Sequence, residues 1–170
     1  MTLSDYIRDV PDFPKPGVLF KDITPLLADP AAFAHTIAEL SNHFAGRPID
    51  AIAAAEARGF LFAAPLALAL RKPLVPLRKP GKLPYQTHSF KYDLEYGSAE
   101  LHMHTDAVKP GAKVLLVDDV LATGGTMAAA CKLIEKAGGT VVACAFLMEL
   151  AFLNGRAPLA GYDVFSLVAY

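Results

Sequence analysis

Two adjacent carboxylates and a glycine-paired turn are the part of this sequence best suited to chemistry. Asp118 and Asp119 follow the apolar run V-L-L-V, which is short enough to be a buried strand. A small polar turn comes next, and a segment with helical periodicity follows it. The residues of this turn are Ala122, Thr123, Gly124, Gly125 and Thr126. We expect the carboxylates at the carboxyl end of a strand, where open parallel sheets bind their ligands.

This combination favours a phosphorylated sugar. A turn that enters a helix presents backbone N–H groups and the positive end of the helix dipole, which suits a phosphate. The neighbouring carboxylates can accept hydrogen bonds from vicinal hydroxyls or bind a metal ion. Two other nucleotide motifs are absent from the sequence: Gly81-Lys82 is followed by Leu83, so there is no P-loop, and no G-x-G-x-x-G run follows a strand.

Composition narrows the class of protein. A chain of 170 residues and 18.1 kDa is expected to form one domain that buries roughly 70% of its unfolded surface. The net charge of -1 gives no indication of a nucleic-acid partner. No run reaches the ~18 apolar residues of a membrane span, and the first residues do not resemble a signal peptide. Cys131 and Cys144 match no metal or redox spacing, so we expect buried thiols and a cytoplasmic protein.

The elements that must position the carboxylates alternate between strand and helix. This order predicts an α/β domain of three layers, with a mainly parallel central sheet flanked by helices. Prolines and Gly17 predict an extended arm over residues 11–17, and residues 78–90 carry no period, which is typical of a functional lid. Strands are predicted at residues 49–55, 74–77, 114–117, 140–146 and 163–168, helices at 30–45, 59–71 and 125–137, and a hairpin at 91–104.

Residues 114–126 resemble the motif with which type I phosphoribosyltransferases bind phosphoribosyl pyrophosphate (PRPP). Four other segments, in the same order along the chain, resemble the adenine-specific family within that group. They are F-P-K-P-G-V-L-F-K-D-I at 13–23, E-A-R-G-F at 56–60, R-K-P-G-K-L-P at 78–84 and L-E-Y-G at 94–97. The resemblance covers nearly the whole chain. It implies a type I phosphoribosyltransferase fold with a small hood at about residues 1–30 and a flexible lid hairpin at about 78–104.

The resemblance also assigns the sugar and pyrophosphate contacts. Asp118 and Asp119 would hold the ribose hydroxyls, and residues 122–126 would bind the 5'-phosphate. Arg58, Arg78, Lys79 and Lys82 would surround the pyrophosphate, although a solvated basic loop would also explain the last three charges. A non-proline cis peptide is implied between Glu56 and Ala57. Mg²⁺ would arrive with PRPP and reach Asp118 or Asp119 through water.

The resemblance assigns base binding to the arm and proton transfer to the lid. In the resemblance, the peptide groups of Leu19 and Lys21 read the adenine edge while Phe20 packs nearby. Many relatives have arginine at position 21, so a side-chain contact there would put the base preference in question. Glu95 would exchange a proton with the purine ring, and Tyr96 would pack within the same lid. The alternative for Glu95 is an exposed strand glutamate.

The implied reaction joins adenine to PRPP and gives AMP and pyrophosphate, as in purine salvage, with a homodimer as the assembly. Arg58 and Glu95 would be the catalytic residues. Two other functions stay open. One is transfer to another purine base, and the other is a regulator that binds PRPP without catalysis.

Overall fold

The computed structural model describes residues 1–94 and 96–170. Its regular elements, in chain order, are β1 (Arg8–Pro11), β2 (Leu19–Asp22), α1 (Thr24–Ala28), α2 (Pro30–Phe44), β3 (Ala51–Ala55), α3 (Gly59–Leu70), β4 (Leu74–Leu77), β5 (Thr87–Asp93), β6 (Ser98–His104), β7 (Lys113–Leu121), α4 (Gly125–Lys136), β8 (Thr140–Glu149) and β9 (Val164–Ala169). Short 3₁₀ helices lie at Leu3–Tyr6, Ala151–Leu153 and Ala157–Leu159.

A five-stranded sheet in the order β4-β3-β7-β8-β9 forms the centre of the fold. All four of its pairings are parallel. Leu115 and Val117 of β7 pack into a cluster with residues of α2 and α3, whereas Val114 and Leu116 pack into a second cluster with α4. The V-L-L-V run is apolar throughout because both faces of the sheet are covered. The predicted three-layer α/β fold is confirmed.

Local sequence explains how α2 begins. Asp29 Oδ1 accepts hydrogen bonds from the N–H groups of Ala31 and Ala32, at 2.9 and 2.8 Å, and Pro30 occupies the first helical position of α2. Residues 51–55 are all alanine or isoleucine and are all buried. Small side chains there let α3 pack closely against β3.

The structure differs from the predictions most clearly in β7, the hairpin and the arm. β7 does not stop before the carboxylates but continues to Leu121, because it pairs with β8 as far as Leu121 and Glu149. The hairpin begins at Thr87, which pairs with His104, so residues 87–90 are not the irregular segment that was expected. The arm contains two antiparallel strands, β1 and β2. In each case pairing with a distant strand outweighs a weak local pattern.

Contacts with α4 and with the end of β4 attach the hairpin of β5 and β6 to the rest of the fold. Lys136 Nζ, near the end of α4, donates to Ser89 O at 2.8 Å. Arg78 and His102 exchange main-chain hydrogen bonds of 2.9 and 2.7 Å, which join the end of β4 to β6. These contacts bring the hairpin over the carboxyl end of the sheet. None of the helices in the described part of the chain has the length and apolar character that a membrane span requires.

Candidate active site

A cavity of about 480 Å³ opens at the carboxyl end of the sheet, between the turn after β3 and the turn before α4. Its lining residues are Glu56, Ala57, Arg58, Asp118, Asp119, Val120, Leu121, Ala122, Thr123, Gly124, Gly125, Thr126, Met127 and Phe146. The cavity therefore brings together both carboxylates, Arg58 and the entire turn at 122–126. The peptide bond between Glu56 and Ala57 is cis, as the resemblance implies.

Asp119 is paired with Arg58 across this cavity. Asp119 Oδ2 lies 2.7 Å from Arg58 Nε, and the carboxylate side chain is only 5% exposed. The Arg58 side chain is 51% exposed, so the guanidinium faces both its partner and the open cavity. A buried carboxylate is costly unless it is paired, and Arg58 supplies the opposite charge.

Asp118 has a different environment although it is the next residue. Its Oδ1 accepts the N–H of Asp119 at 2.8 Å, and it packs against the first turn of α3. A Cβ at Gly59 would lie 2.9 Å from Asp118 Oδ1 and 3.2 Å from Val117 O, so only glycine fits there. Burial, and then the negative charge of Asp119, raise the pKa of Asp118 to about 8.

The turn at 122–126 leads directly into α4. Gly124 has a left-handed φ of 86°, and its carbonyl accepts the N–H of Ala128 at 2.9 Å, at the start of the helix. The first N–H groups of a helix have no acceptor within it, and here they border the cavity. This geometry can bind a phosphate through the backbone and the helix dipole.

A second cavity, of about 700 Å³, lies beside the first and beneath the hairpin. It is lined by Glu56, Lys79, Pro80, Lys91, Tyr92, Leu94, Ser98, Ala99, Glu100, Leu101 and Thr126. Glu56 and Thr126 border both cavities. Tyr92 Oη lies 3.4 Å from Thr126 Oγ1, so the hairpin contacts the turn at 122–126. The two cavities form adjacent parts of one site.

Glu56 connects the basic segment to the site, a role that sequence reasoning missed. Its Oε1 accepts the N–H of Lys79 at 2.8 Å and Nε of Arg78 at 3.2 Å. The Lys79 N–H bond and the positive charge of Arg78 hold the pKa of Glu56 below its ordinary value. The position of Glu56 in the E-A-R-G-F segment was the available signal. Met127, Phe146 and Tyr92 were also missed, because nothing local distinguishes them from core residues.

The remaining lid residues differ in how close they lie to the two cavities. Lys79 lines the second cavity, and Arg78 points its Nε at Glu56. Lys82 is exposed in a turn and is not among the lining residues of either cavity in the described part of the chain. Tyr96 is 85% exposed at the hairpin tip and lines neither cavity. Glu95 lies outside the described residues.

The arm meets the site through Phe20. The guanidinium carbon of Arg58 lies 5.8 Å from the centre of the Phe20 ring, which also packs edge-on against Phe13 at 5.1 Å. Lys21 Nζ donates to Asp9 Oδ1 at 2.6 Å and lies 3.9 Å from the centre of the Tyr170 ring. The side chain of Lys21 is thus occupied by neighbours, while Leu19 on the same strand is exposed.

The fold and this site define the class of protein. A parallel sheet carries paired carboxylates and the glycine-paired turn at 122–126 at its carboxyl edge, next to a basic segment under a hairpin. The family model described as "Phosphoribosyl transferase domain" matches residues 22–165, which is most of the chain.

Individual relatives make the assignment narrower. The chain is 58% identical, over the full length of both proteins, to an adenine phosphoribosyltransferase of Kosmotoga olearia. A solved adenine phosphoribosyltransferase of Thermoanaerobacter pseudethanolicus is 54% identical, with a TM-score of 0.96 over 99% of this chain and 98% of that one. The Saccharomyces cerevisiae enzyme, solved with an imino-altritol bisphosphate and adenine, is 40% identical, with a TM-score of 0.91 over 97% and 96%. This chain belongs to the adenine phosphoribosyltransferase family.

Proposed function

We propose that the protein transfers the phosphoribosyl group of PRPP to adenine, giving AMP and pyrophosphate. The observation that carries this proposal is the single cavity that unites Arg58, the two aspartates and the phosphate-binding turn. The relatives that share the whole chain support adenine as the base. The protein would therefore act in purine salvage.

The sugar phosphate would bind along the end of β7. Backbone N–H groups of residues 122–126 would receive the 5'-phosphate at the start of α4. Asp118 and Asp119 would accept hydrogen bonds from the ribose hydroxyls, which are charge-assisted and strong when the carboxylates are ionised. The ion pair with Arg58 positions Asp119 at the edge of the cavity, which supports this role.

The leaving pyrophosphate would lie between Arg58 and the hairpin. Lys79 lines the cavity next to the sugar site, and Glu56 holds the peptide of Lys79 in place. Arg58 is half exposed beside the first cavity. We include Arg78 and Lys82 in this set from the family resemblance. The exposed position of Lys82 implies that it would reach pyrophosphate only if its loop moved.

Adenine would bind beneath the arm, with its edge read by the peptide groups of Leu19 and Lys21. The contacts of the Lys21 side chain with Asp9 and Tyr170 support recognition through the main chain. Under this arrangement the lysine in place of arginine changes no base contact. Phe20, next to Arg58, would pack near the base and the reacting sugar.

Proton transfer is assigned to Glu95, with Tyr96 packing in the same lid. The bond between C1 of the ribose and the pyrophosphate oxygen would break while positive charge develops on the sugar. The N9 lone pair of the N7–H tautomer of adenine would then form the new bond to C1, and the N7 proton would pass to the Glu95 carboxylate. A lid closed over the site would exclude water and so raise the pKa of that carboxyl.

Mg²⁺ fits the site as an ion that PRPP brings with it. Magnesium usually binds through one or two carboxylates together with substrate phosphates and waters. Asp118 and Asp119 supply such oxygens, and across residues 1–94 and 96–170 no group of three or more histidine, cysteine or acidic side chains forms a separate cage. Bound there, the ion neutralises charge on the pyrophosphate.

A homodimer and a cytoplasmic location complete the proposal. The dimer follows from the resemblance, and it is supported by the exposed apolar side chains of Leu61 and Leu68 on α3, at 43% and 81%. Light scattering at several protein concentrations would test it, since a species of 18.1 kDa alone would contradict the dimer.

One assay tests the reaction. Pyrophosphate release from PRPP is measured with and without Mg²⁺, in parallel reactions with adenine, hypoxanthine, guanine and orotate. We expect Mg²⁺-dependent release with adenine alone. Release with another base would correct the substrate, while PRPP binding without turnover would indicate a regulator.

A further inference from the structure

The phosphate-binding turn rests against a segment that sequence reasoning did not connect with the site. A Cβ at Gly124 would lie 2.7 Å from Pro158 Cγ and even closer to the carbonyl oxygen of Gly155. A Cβ at Gly155 would in turn collide with Ala122 O and lie 2.9 Å from Leu121 Cδ1. The two backbones are therefore packed together with no space for a side chain between them.

An ion pair fixes this segment to the sheet. Arg156, the residue after Gly155, donates from Nε and Nη2 to the two carboxylate oxygens of Glu149, both at 2.8 Å. Arg156 Nη1 also donates to Val164 O at 3.2 Å. Glu149 is buried at the end of β8 and accepts a further bond from Ser166 Oγ at 2.8 Å. Such two-pronged arginine–carboxylate pairs define both distance and orientation.

We propose that Arg156 and Glu149 are positioning residues for the 5'-phosphate: their ion pair holds Gly155 and Pro158 against the turn at 122–126. Neither side chain lines the cavity, so they act through the segment and not on the substrate. The inference rests on the proposed function, since it takes that turn as the phosphate site.

The physical reason is preorganisation. A phosphate bound by backbone N–H groups requires those groups to converge before it arrives. The small residues of the turn cannot stabilise its shape through side-chain packing of their own. Gly155 and Pro158 pack against the turn and supply that support. Glu149, which holds their segment through Arg156, is itself paired with Leu121 of β7, just before the turn.

The test is calorimetric binding of ribose 5-phosphate to Arg156→Ala and Arg156→Lys, together with KM for PRPP and for adenine. If loss of the ion pair displaces the turn, Arg156→Ala should weaken ribose 5-phosphate binding about tenfold or more and raise KM for PRPP. KM for adenine should be unchanged. Arg156→Lys keeps the charge but not the two-pronged geometry, so its affinity for ribose 5-phosphate should lie between those of Arg156→Ala and the wild type. If Arg156→Ala does not fold, Arg156→Lys takes its place in the test.

Arg47→Ala is the matched control. Arg47 pairs with Asp163 at 2.8 Å, and neither residue lines the cavity. Asp163 precedes Val164, whose carbonyl Arg156 contacts, so Arg47→Ala removes a nearby ion pair while Arg156 and Glu149 stay paired. This variant should lose thermal stability but not ribose 5-phosphate binding. Unchanged binding in Arg156→Ala overturns the inference. Equal losses for ribose 5-phosphate, PRPP and adenine also overturn it, since they indicate a general effect on the fold. A wild type that binds ribose 5-phosphate but releases no pyrophosphate contradicts the proposed function and leaves this test valid.

Discussion

The guanidinium of Arg58 and the carboxylate of Asp119 are 2.7 Å apart, and their ion pair joins the turn after β3 to β7. Both partners depend on this contact. Asp119 is almost fully buried and has the arginine as its charged partner, while the ion pair fixes Arg58 at the edge of the cavity. The pair thus links the residues proposed for pyrophosphate to those proposed for ribose.

Replacing Arg58 tests this link. We expect Arg58→Ala to lower kcat/KM for PRPP by about 10- to 100-fold, since a charge-assisted bond contributes about 1.5–3 kcal/mol. The free energy of unfolding should also fall, by about 1–3 kcal/mol, because the arginine is half exposed but its loss leaves the buried Asp119 carboxylate without a partner. Steady-state kinetics and urea denaturation measure the two effects. Arg47→Ala provides an ion-pair control outside the cavity, and an active Arg58→Ala enzyme would remove Arg58 from catalysis.

Asp118 should lose a proton when the sugar binds. Burial and the charge of Asp119 raise its pKa to about 8, so the carboxyl is mostly protonated near pH 7 in the free protein. Ribose hydroxyls that donate to it favour the charged form and lower the pKa. Calorimetry of ribose 5-phosphate in buffers of different ionisation enthalpy should detect the released proton. Asp118→Asn should remove that part of the signal, and equal proton release from both proteins would contradict the assignment.

The same shift predicts how stability depends on pH. The folded state binds the Asp118 proton more tightly than the unfolded state, whose ordinary value is 3.8. The protonated Asp118 therefore contributes fully to the free energy of unfolding below pH 3.8, and this contribution is lost as the pH rises to about 8. Asp118→Asn should become more stable than the wild type across this range. Urea denaturation at intervals between pH 4 and pH 8, which is about the range of the shift, measures the difference.

Glu95 should affect chemistry and not PRPP binding. Loss of a general acid or base costs about 10²- to 10⁴-fold in rate, so Glu95→Ala should lose most of kcat with KM for PRPP unchanged. Glu39→Ala on α2, an exposed glutamate outside the site, is the matched control. Full activity of Glu95→Ala at neutral pH would exclude a role in proton transfer.

Variants of Lys21 distinguish recognition of the base through the main chain from recognition through the side chain. Its Nζ is bound to Asp9 and its side chain lies against Tyr170, so Lys21→Arg should leave the ratio of kcat/KM for adenine over hypoxanthine unchanged. Lys21→Met, which removes the bond to Asp9, should raise KM for adenine by loosening the strand without changing that ratio. A change of base preference in either variant would instead support a side-chain contact.

Gly59 tests the close packing beneath Asp118. A methyl group there would lie 2.9 Å from Asp118 Oδ1, so Gly59→Ala should destabilise the fold by about 1–3 kcal/mol and displace the carboxylate, lowering kcat/KM for PRPP. Gly139→Ala introduces a comparable clash, 2.9 Å from Ile134 Cγ2 and Val108 Cγ1, but lies away from the cavity. This control should lose stability while kcat/KM is retained. If both variants keep full activity, the position of Asp118 does not depend on Gly59.

Strong local signals predicted most of the elements. Asp29 and Pro30 predict the start of α2, because a capping side chain and a proline in the first turn act on backbone groups only a few residues away. The buried strand before Asp118 and the helix after Gly124 were likewise predictable from short patterns. The boundaries that failed, at Thr87 and beyond Val117, belong to strands whose ends are set by distant pairing partners.

By itself the sequence determined the fold class, the resemblance to the family and the residue types of the site, because apolar periodicity and turn chemistry are local properties. Tertiary structure alone decided which of those residues meet. It pairs Arg58 with Asp119, turns Lys21 toward Asp9, and joins Glu56 to Lys79. It also brings Gly155 against Gly124. These contacts depend on strand order and close packing between distant segments, which no local pattern encodes.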